Sequence, residues 1–223
     1  SEGGMFRDYY LKIRSYANAN LTSSGNGSNG YSMHRHWLSI FICAMVEGGV
    51  YLDRIKEEIN NRWGNPPTCR YSESVQAVIA IAYDWLYDEL TTTEKQIIAN
   101  HFMDWWNYWN SSSAYFHSSW NNHTMEEIQG FVFGAIALNG DGYCDQEALD
   151  NLSIARDWLE EILNATNLAA GSENNLGEDG GWAEGFYYWE RGGYAFLESL
   201  YAWTSATDEN LLNLSVSMKK ISR

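Results

Sequence analysis

The sequence predicts an all-α protein in which antiparallel helix pairs form a toroid or an incomplete toroid. Two observations favour helices throughout. The 223 residues include only two prolines, adjacent at Pro66 and Pro67, so almost nothing interrupts a helix elsewhere. Apolar residues recur at the three- and four-residue spacing of an α-helix, and no stretch shows the alternation of a competing strand.

Five helices are predicted in the first half of the chain. The apolar spacing places them near 5–17, 33–47, 51–62, 72–90 and 94–109. Asn, Ser and Gly dominate the segment 17–31, which we expect to be a flexible loop. Thr91 and Glu94 have the spacing of a capping box, so they mark the start of the fifth helix.

Four more helices are predicted in the second half, near 124–138, 146–163, 184–204 and 210–221. The connector after Leu90 is a tight turn, whereas those at 110–123 and 167–183 are long. Long loops in a helical domain tend to carry function, which directs attention to these two.

Alternating short and long connectors are typical of an array of αα-hairpins, which closes into a toroid or stacks as a solenoid. The predicted helices are few for a closed ring, so a partial or open toroid is expected. Residues 1–223 are long enough for one sizeable core, and we predict a single helical domain.

Composition excludes several classes of protein. Asp and Glu number 29 against 14 Lys and Arg, and a net charge of −15 argues against nucleic acid or an anionic membrane as partner. No apolar run is long enough to span a membrane. Three cysteines without a CxxC spacing indicate neither a zinc site nor a disulfide framework, so we expect no metal and no cofactor.

The first candidate site lies where the loop 110–123 runs into a helix. Asn122 is a candidate N-cap, and a helix N-terminus favours a bound anion, towards which His123 would point. Glu126 follows one turn later, where it can accept a hydrogen bond from the imidazole of His123. A capped helix with a surface histidine explains the same residues without any function.

The second candidate site lies where the Gly-rich loop 178–185 runs into the next helix. The rings of Trp182, Tyr187, Tyr188 and Trp189 offer flat faces for sugar stacking, and the phenols can move protons. An aromatic helix start that packs into the core explains these residues equally well.

Three stretches together resemble the helical toroid of heparinase II/III-type and oligo-alginate polysaccharide lyases. They are Ala82-Tyr83-Asp84-Trp85-Leu86-Tyr87-Asp88-Glu89-Leu90-Thr91, Asn122-His123-x-x-Glu126, and Asp179-Gly180-Gly181-Trp182-x-Glu184-Gly185-x-x-Tyr188-Trp189. The resemblance covers about 33–203. Members of that family continue into a C-terminal β-sandwich, so it also implies that this domain is a fragment of a longer chain.

The resemblance implies β-elimination on a uronate-containing polysaccharide or oligosaccharide, without a metal, by an extracellular or periplasmic protein. Asn122 and His123 match the pair that neutralises the uronate carboxylate, and Glu126 would orient His123. Tyr188 matches the base or acid, with Tyr187 as the neighbouring alternative. Positive charge from His123, Arg191 or Arg70 would favour the phenolate. The expected substrate contacts are Tyr187, Trp120, Trp182, Trp189, Glu184, Arg70, Arg191, His117 and His36.

Two other functions remain open. A toroidal glycoside hydrolase would use paired carboxylates from among Glu73, Asp84, Asp179 and Glu184, but this leaves the Asn122-His123 pair unexplained. A non-catalytic carbohydrate-binding domain would use the aromatic rings as stacking platforms. The 11 Trp, 15 Tyr and 8 Phe are also explained if most of them lie in the core.

A polyanionic substrate conflicts with a net charge of −15 unless the cleft is a local exception. We therefore expect the cations to gather on one face, namely His34, Arg35, His36, Arg70, His123 and Arg191. A uniformly acidic cleft would favour a neutral glycan or a hydrolase instead.

Overall fold

The computed structural model describes residues 2–22, 30–63, 73–111, 122–165 and 186–211. Every regular element in these ranges is a helix, which confirms the all-α class. The helices are α1 (Glu2–Asn20), α2 (Gly30–Glu47), α3 (Gly49–Glu58), α4 (Glu73–Trp85), α5 (Thr92–Ser111), α6 (Asn122–Leu138), α7 (Asp145–Ala165) and α8 (Phe186–Thr207). None of these helices is long and apolar enough to cross a membrane.

The flexible loop expected at 17–31 is wrong at both of its ends. Helix α1 continues to Asn20, whose side-chain amide donates a 2.8 Å hydrogen bond to the carbonyl of Tyr16, and α2 already begins at Gly30. Local Asn and Ser content predicts a loop, but contacts with α3 extend the helix: the hydroxyl of Tyr51 donates to Asn18 over 2.7 Å. The predicted helix at 210–221 lies almost entirely outside the described residues.

Helices α2 and α3 are joined by one residue. Gly48 has a φ of 63° and Gly49 a φ of 55°, a left-handed backbone that glycine adopts without the steric penalty of a Cβ atom. The chain therefore reverses sharply enough for Arg54 of α3 to lie over the ring of Trp37 in α2, at 5.2 Å from its centroid. A π-helical turn at Ile59–Trp63 extends α3 to the predicted end.

Helix α4 ends at Trp85 rather than at the predicted Leu90, and a 3₁₀ turn at Tyr87–Glu89 follows it. Leu86 and Leu90 are both buried on either side of this turn. Since a 3₁₀ turn is tighter than an α-helical one, it brings the chain round to α5 within a few residues.

The predicted capping box at the start of α5 is confirmed. The amide and the hydroxyl of Thr91 each donate a 2.8 Å hydrogen bond to Oε2 of Glu94, and the amide of Glu94 donates back to the Thr91 hydroxyl over 3.2 Å. These bonds satisfy backbone donors that the helix itself leaves without partners.

The helices α4, α6 and α8 run in the same direction. Helix α5 is antiparallel to α4, because Gln76 near the start of α4 bonds His101 in mid-α5 while Tyr87, just after α4, contacts Lys95 at the start of α5. It is also antiparallel to α6, where Gly130 approaches Trp105 and Gly134 approaches Phe102.

The direction of α8 follows from two contacts with α6. Gly192 lies against Asn122 at the start of α6, and Glu198 accepts a hydrogen bond from Gln129 one or two turns further on. Every second helix along the chain is a neighbour in space: α2 packs on α4, α4 on α6, and α6 on α8. The odd-numbered α1, α3 and α7 pack against the even-numbered helices next to them.

The core is centred on α6, which is buried on nearly every side. Tryptophan contributes heavily to it: five of the seven Trp side chains that the structure describes are buried, and only Trp85 is exposed, at 44%. Most of the tryptophan in the described part of the chain is therefore core packing. The buried Trp residues are Trp37, Trp105, Trp106, Trp109 and Trp203.

Candidate active site at the starts of α6 and α8

The first turn of α6 is a buried polar segment. Helix α6 begins at Asn122 itself, two residues before the predicted start, and Asn122 and Thr124 are each 1% exposed. His123 is half-buried and Glu126 is buried. Most polar side chains of this turn are therefore buried, but His123 keeps part of its surface exposed, so a helix start with a partly exposed histidine explains it without any function.

This turn can bind an anion for a general physical reason. The first amides of a helix lack intrahelical acceptors, and the aligned peptide dipoles add a partial positive charge at this end. A carboxylate that reaches the start of α6 would meet these amides beside Asn122 and His123. Glu126 follows His123 by three residues, so the two side chains are neighbours on the helix surface, as the predicted orienting role requires.

Helix α8 meets this turn through Gly192. A Cβ atom at Gly192 would come 3.0 Å from Cα and 3.3 Å from Cβ of Asn122, and 3.4 Å from Cγ of Met125. Only a residue without a side chain lets the two backbones approach this closely. Tyr188 belongs to the first turn of α8, four residues before Gly192, so the helix register puts position 188 on the side of α8 that faces Asn122.

Gly192 and Asn122, which are 70 positions apart in the sequence, thus approach each other closely, and Tyr188 lies about one helical turn before Gly192 in α8. The side chains of Tyr187, Tyr188, Trp189 and Arg191 lie outside the described part of the chain, although these residues belong to α8. Trp120, Trp182, Glu184, Arg70 and His117 lie outside the described residues altogether.

Several further polar residues near this turn were not singled out from the sequence. Glu127 has no exposed surface, Gln129 is 1% exposed, and Gln129 donates a hydrogen bond through Nε2 to Oε2 of Glu198 on α8. On the other side of α6, Gln76 is fully buried and lies 2.8 Å through Oε1 from Nε2 of His101. The sequence does carry one signal, the run of polar residues at the start of the otherwise apolar α6. If such a helix lies in the core, its polar side chains are buried and need hydrogen-bond partners.

Glycine also marks this close packing. A Cβ at Gly130 would come 2.8 Å from Cβ of Gln76 and 2.9 Å from the ring of Trp105, and one at Gly134 would come 2.3 Å from the ring of Phe102. The four-residue spacing of Gly130 and Gly134 places both on one face of α6. Two glycines at that spacing inside a predicted helix are a sequence signal for close helix approach.

The described charges at the site are mainly acidic. The ionisable side chains described on α6 are His123, Glu126 and Glu127, and the charged side chain described on α8 is that of Glu198. Arg35 is exposed on α2. The expected gathering of cations on one face depends on His34, Arg70 and Arg191, whose side chains are not among those described, and it stays a prediction.

His36 does not fit the expected substrate contact. It is 4% exposed, and its ring lies edge-on to that of Trp37 with the centroids 4.9 Å apart. Burial lowers the pKa of His36, and the positive charge of Arg54 lowers it further. His36 is thus a neutral core residue at pH 7, which argues against a role in attracting an acidic polymer.

The part of the chain that the structure describes contains no group of three His, Cys, Asp or Glu side chains placed to hold a metal ion. The turn between α6 and α7 has a Gly-rich sequence that resembles a calcium loop. Its backbone is hydrogen-bonded to the side chain of Asp145, the first residue of α7. Oδ1 of Asp145 accepts hydrogen bonds from the amides of Gly140 and Gly142, at 3.1 and 2.9 Å. This carboxylate oxygen is therefore used to close the turn before α7.

Comparison with known proteins finds no protein-family model and no curated protein that matches this chain. The resemblance to polysaccharide lyases accordingly rests on the motifs in the sequence.

Proposed function

We propose that the protein is a uronate polysaccharide lyase whose active site lies where α6 and α8 begin. The observation that supports this proposal is the approach of Gly192 to Asn122, because Tyr188 lies only about one helical turn before Gly192 on α8. Base and carboxylate-neutralising groups must both reach one sugar unit, so the two motifs have to be neighbours. Sequence alone separates them by more than sixty residues.

We further propose that the helices form an incomplete (α/α) toroid. Parallel α4, α6 and α8 would be its inner helices, and antiparallel α5 and α7 would belong to the outer layer. This assignment is supported by the packing of α2 on α4, α4 on α6 and α6 on α8. In such an arrangement the inner helices start on the same side, which would place both motifs at the mouth of one cleft.

The proposed reaction is a β-elimination. In this proposal the half-buried His123 and the first amides of α6 hydrogen-bond the uronate carboxylate, and Asn122, which is 1% exposed, joins them once bound substrate uncovers its side chain. These contacts offset the charge that opposes loss of the C5 proton. The phenolate of Tyr188 takes that proton, and the C4–O bond breaks as the C4–C5 double bond forms. The departing glycosidic oxygen receives a proton from the same or the neighbouring tyrosine. Such a reaction proceeds on polymers found outside the cytoplasm, consistent with an extracellular or periplasmic protein.

The acidic residues at the site favour a second candidate, a glycoside hydrolase. Glu126 and Glu127 are buried near the site, and Glu198 lies on the facing helix. A hydrolase needs two carboxyl groups that flank one glycosidic bond, and α6 and α8 together carry three described carboxyl groups. Of the carboxylates proposed for a hydrolase from the sequence, Asp84 has an exposed side chain, and the side chains of Glu73, Asp179 and Glu184 are not among those described.

An elimination assay separates the two candidates. The protein is incubated with a panel of uronate polymers while ultraviolet absorbance and new reducing ends are both recorded. We expect both to increase together, since each elimination creates one C4–C5 double bond and one reducing end. Reducing ends without ultraviolet absorbance would establish the hydrolase and reject the lyase.

Two variants test the residues. Tyr188→Phe and His123→Ala should each lower kcat by about 10²-fold or more, because each removes a group that acts on a proton or charge in the transition state. Tyr201→Phe is the matched control, since Tyr201 lies on the same helix with 65% of its surface exposed. Loss of activity in Tyr187→Phe but not in Tyr188→Phe would transfer the role to Tyr187. Polymer binding without turnover, unchanged in both variants, would identify a carbohydrate-binding domain instead.

A further inference from the structure

Two contacts between α6 and α8 are separated along both helices. One is the approach of Gly192 to Asn122, and the other is the hydrogen bond that Gln129 donates to Glu198. Gly192 and Glu198 are six residues apart, which on an α-helix corresponds to about 9 Å along the axis and about 120° around it. The two contacts differ both in their position along the axis of α8 and in their direction around it. Together they fix the translation of α8 along α6 and its rotation about its own axis.

The hydrogen bond between Gln129 and Glu198 would be lost if α8 shifted along α6 or rotated against it. Gln129 is 1% exposed, so its side-chain amide has no ready exchange with water, and an amide left without an acceptor there is unfavourable. Glu198 is only partly buried, and as a carboxylate it accepts a stronger hydrogen bond than a neutral group. A buried donor held by a charged acceptor on the next helix therefore gives α8 one preferred rotation.

We propose that Glu198 is a positioning residue, which through Gln129 holds α8, and with it the turn that carries Tyr188, in its register against the start of α6. This inference rests on the lyase function proposed above. Glu198 lies ten residues from Tyr188, about 15 Å along the helix, so it acts on the reaction only by fixing the helix. Because the helix is rigid, a small rotation of α8 at Glu198 also rotates its first turn, which contains the proposed base Tyr188.

The test compares four variants in the elimination assay. Glu198→Ala removes the acceptor, and we expect kcat to fall about 10-fold or more while KM stays within about 2-fold, since misplaced catalytic groups reduce rate more than binding. Glu198→Gln retains an acceptor for the Gln129 amide and should keep most of the activity. Gln129→Glu places two carboxylates together and should be impaired, whereas Gln129→Glu combined with Glu198→Gln exchanges donor and acceptor and should restore activity.

The matched control is Glu161→Ala, which removes an exposed carboxylate from the neighbouring α7. It should leave kcat and KM unchanged. Circular dichroism and thermal melts check that every variant remains folded, and Glu198→Gln keeps the test decisive if Glu198→Ala does not fold. Equal kcat for wild type, Glu198→Ala and Gln129→Glu would overturn the positioning role while leaving the lyase function intact.

A second measurement keeps the inference separate from the lyase function. Hydrogen exchange of the backbone amides in the first turns of α6 and α8 reports on their mutual packing without any substrate. We expect faster exchange in Glu198→Ala and wild-type exchange in Glu198→Gln and in the donor–acceptor swap. If the wild-type protein showed no elimination, the lyase function would be rejected, and exchange rates unchanged in Glu198→Ala would reject the positioning role as well.

Discussion

Gly192 on α8 lies so close to Asn122 on α6 that an added Cβ atom would come 3.0 Å from the Asn122 Cα. The neighbour is backbone, which cannot rotate away as a side chain can. A side chain at position 192, in the second turn of α8, would therefore push the two helices apart by a few tenths of an ångström. Since these starts carry the Asn-His and tyrosine motifs, one glycine controls how near the motifs can come.

Gly192→Ala should separate activity from stability. Ala gains about 1 kcal/mol in helix propensity over Gly, which offsets much of the packing strain of about 1–3 kcal/mol. We expect the free energy of unfolding to change by about 2 kcal/mol or less, while kcat falls about 10-fold or more because the helix starts move apart. Urea unfolding and the elimination assay measure the two effects. Gly4→Ala, at an exposed helical glycine of α1, should leave kcat unchanged and raise the free energy of unfolding by no more than the propensity gain of about 1 kcal/mol. Unchanged kcat in Gly192→Ala would contradict the role of this contact.

Gly134→Ala should destabilise the core between α5 and α6 by about 1–3 kcal/mol, through overpacking. The added Cβ would come 2.3 Å from the ring of Phe102, which is fully buried and cannot move without displacing its neighbours. Phe102→Leu frees space at this point, so the double variant should be more stable than the sum of the two single effects predicts. Chemical unfolding of the four proteins gives the coupling energy. If the two changes in the free energy of unfolding simply add, the Phe102 ring and the new methyl group are not in contact.

Thr91→Ala should lower the free energy of unfolding by about 1 kcal/mol, the usual value of an N-cap side chain. The Thr91 hydroxyl accepts a hydrogen bond from the amide of Glu94 and donates one to its carboxylate, and both are lost in the variant. Thr93→Ala is the control, because Thr93 is exposed in the first turn of the same helix and should change stability by no more than about 0.5 kcal/mol. Equal effects of the two substitutions in thermal melts would refute the capping role.

His36 should make the protein less stable as the pH falls below the ordinary histidine value of 6.5. Burial and Arg54 lower the pKa of His36 in the folded state, so below pH 6.5 the unfolded chain takes up a proton that the folded protein does not. The stability contribution is therefore complete above pH 6.5 and declines towards the lowered folded pKa. Nuclear magnetic resonance titration of the His36 ring reads this pKa directly. His36→Leu should show a flatter stability profile between pH 7.5 and 5.5, and a His36 pKa at or above 6.5 would contradict the prediction.

The helices themselves were largely predictable because their signals are local. Apolar spacing located α2, α5, α6 and α7 within a few residues, and the Thr91-Glu94 pattern identified the start of α5. The errors lie where distant contacts decide the backbone. Helix α1 extends to Asn20, beside Tyr51 of α3, and α4 yields to a 3₁₀ turn because Leu86 and Leu90 are both buried.

The sequence indicates candidate site residues but not their surroundings. Asn122 and His123 stand out as polar residues at a helix start, and the resemblance to lyases singled them out with Tyr188. His36 was misassigned because a sequence does not show which side of α2 is buried. Gln129 and Glu198 were overlooked, since two polar residues 69 positions apart give no sign in a sequence that they form a hydrogen bond.

The sequence by itself determined that the protein is helical, acidic and rich in tryptophan, because helix propensity, charge and composition are sums over single residues and their near neighbours. Only the tertiary structure decided that α6 is buried on nearly every side and that its first turn meets the start of α8. Packing between helices depends on which surfaces fit at a distance of a few ångströms. That property belongs to pairs of helices, and Gly192 acquires its role only when Asn122 is placed against it.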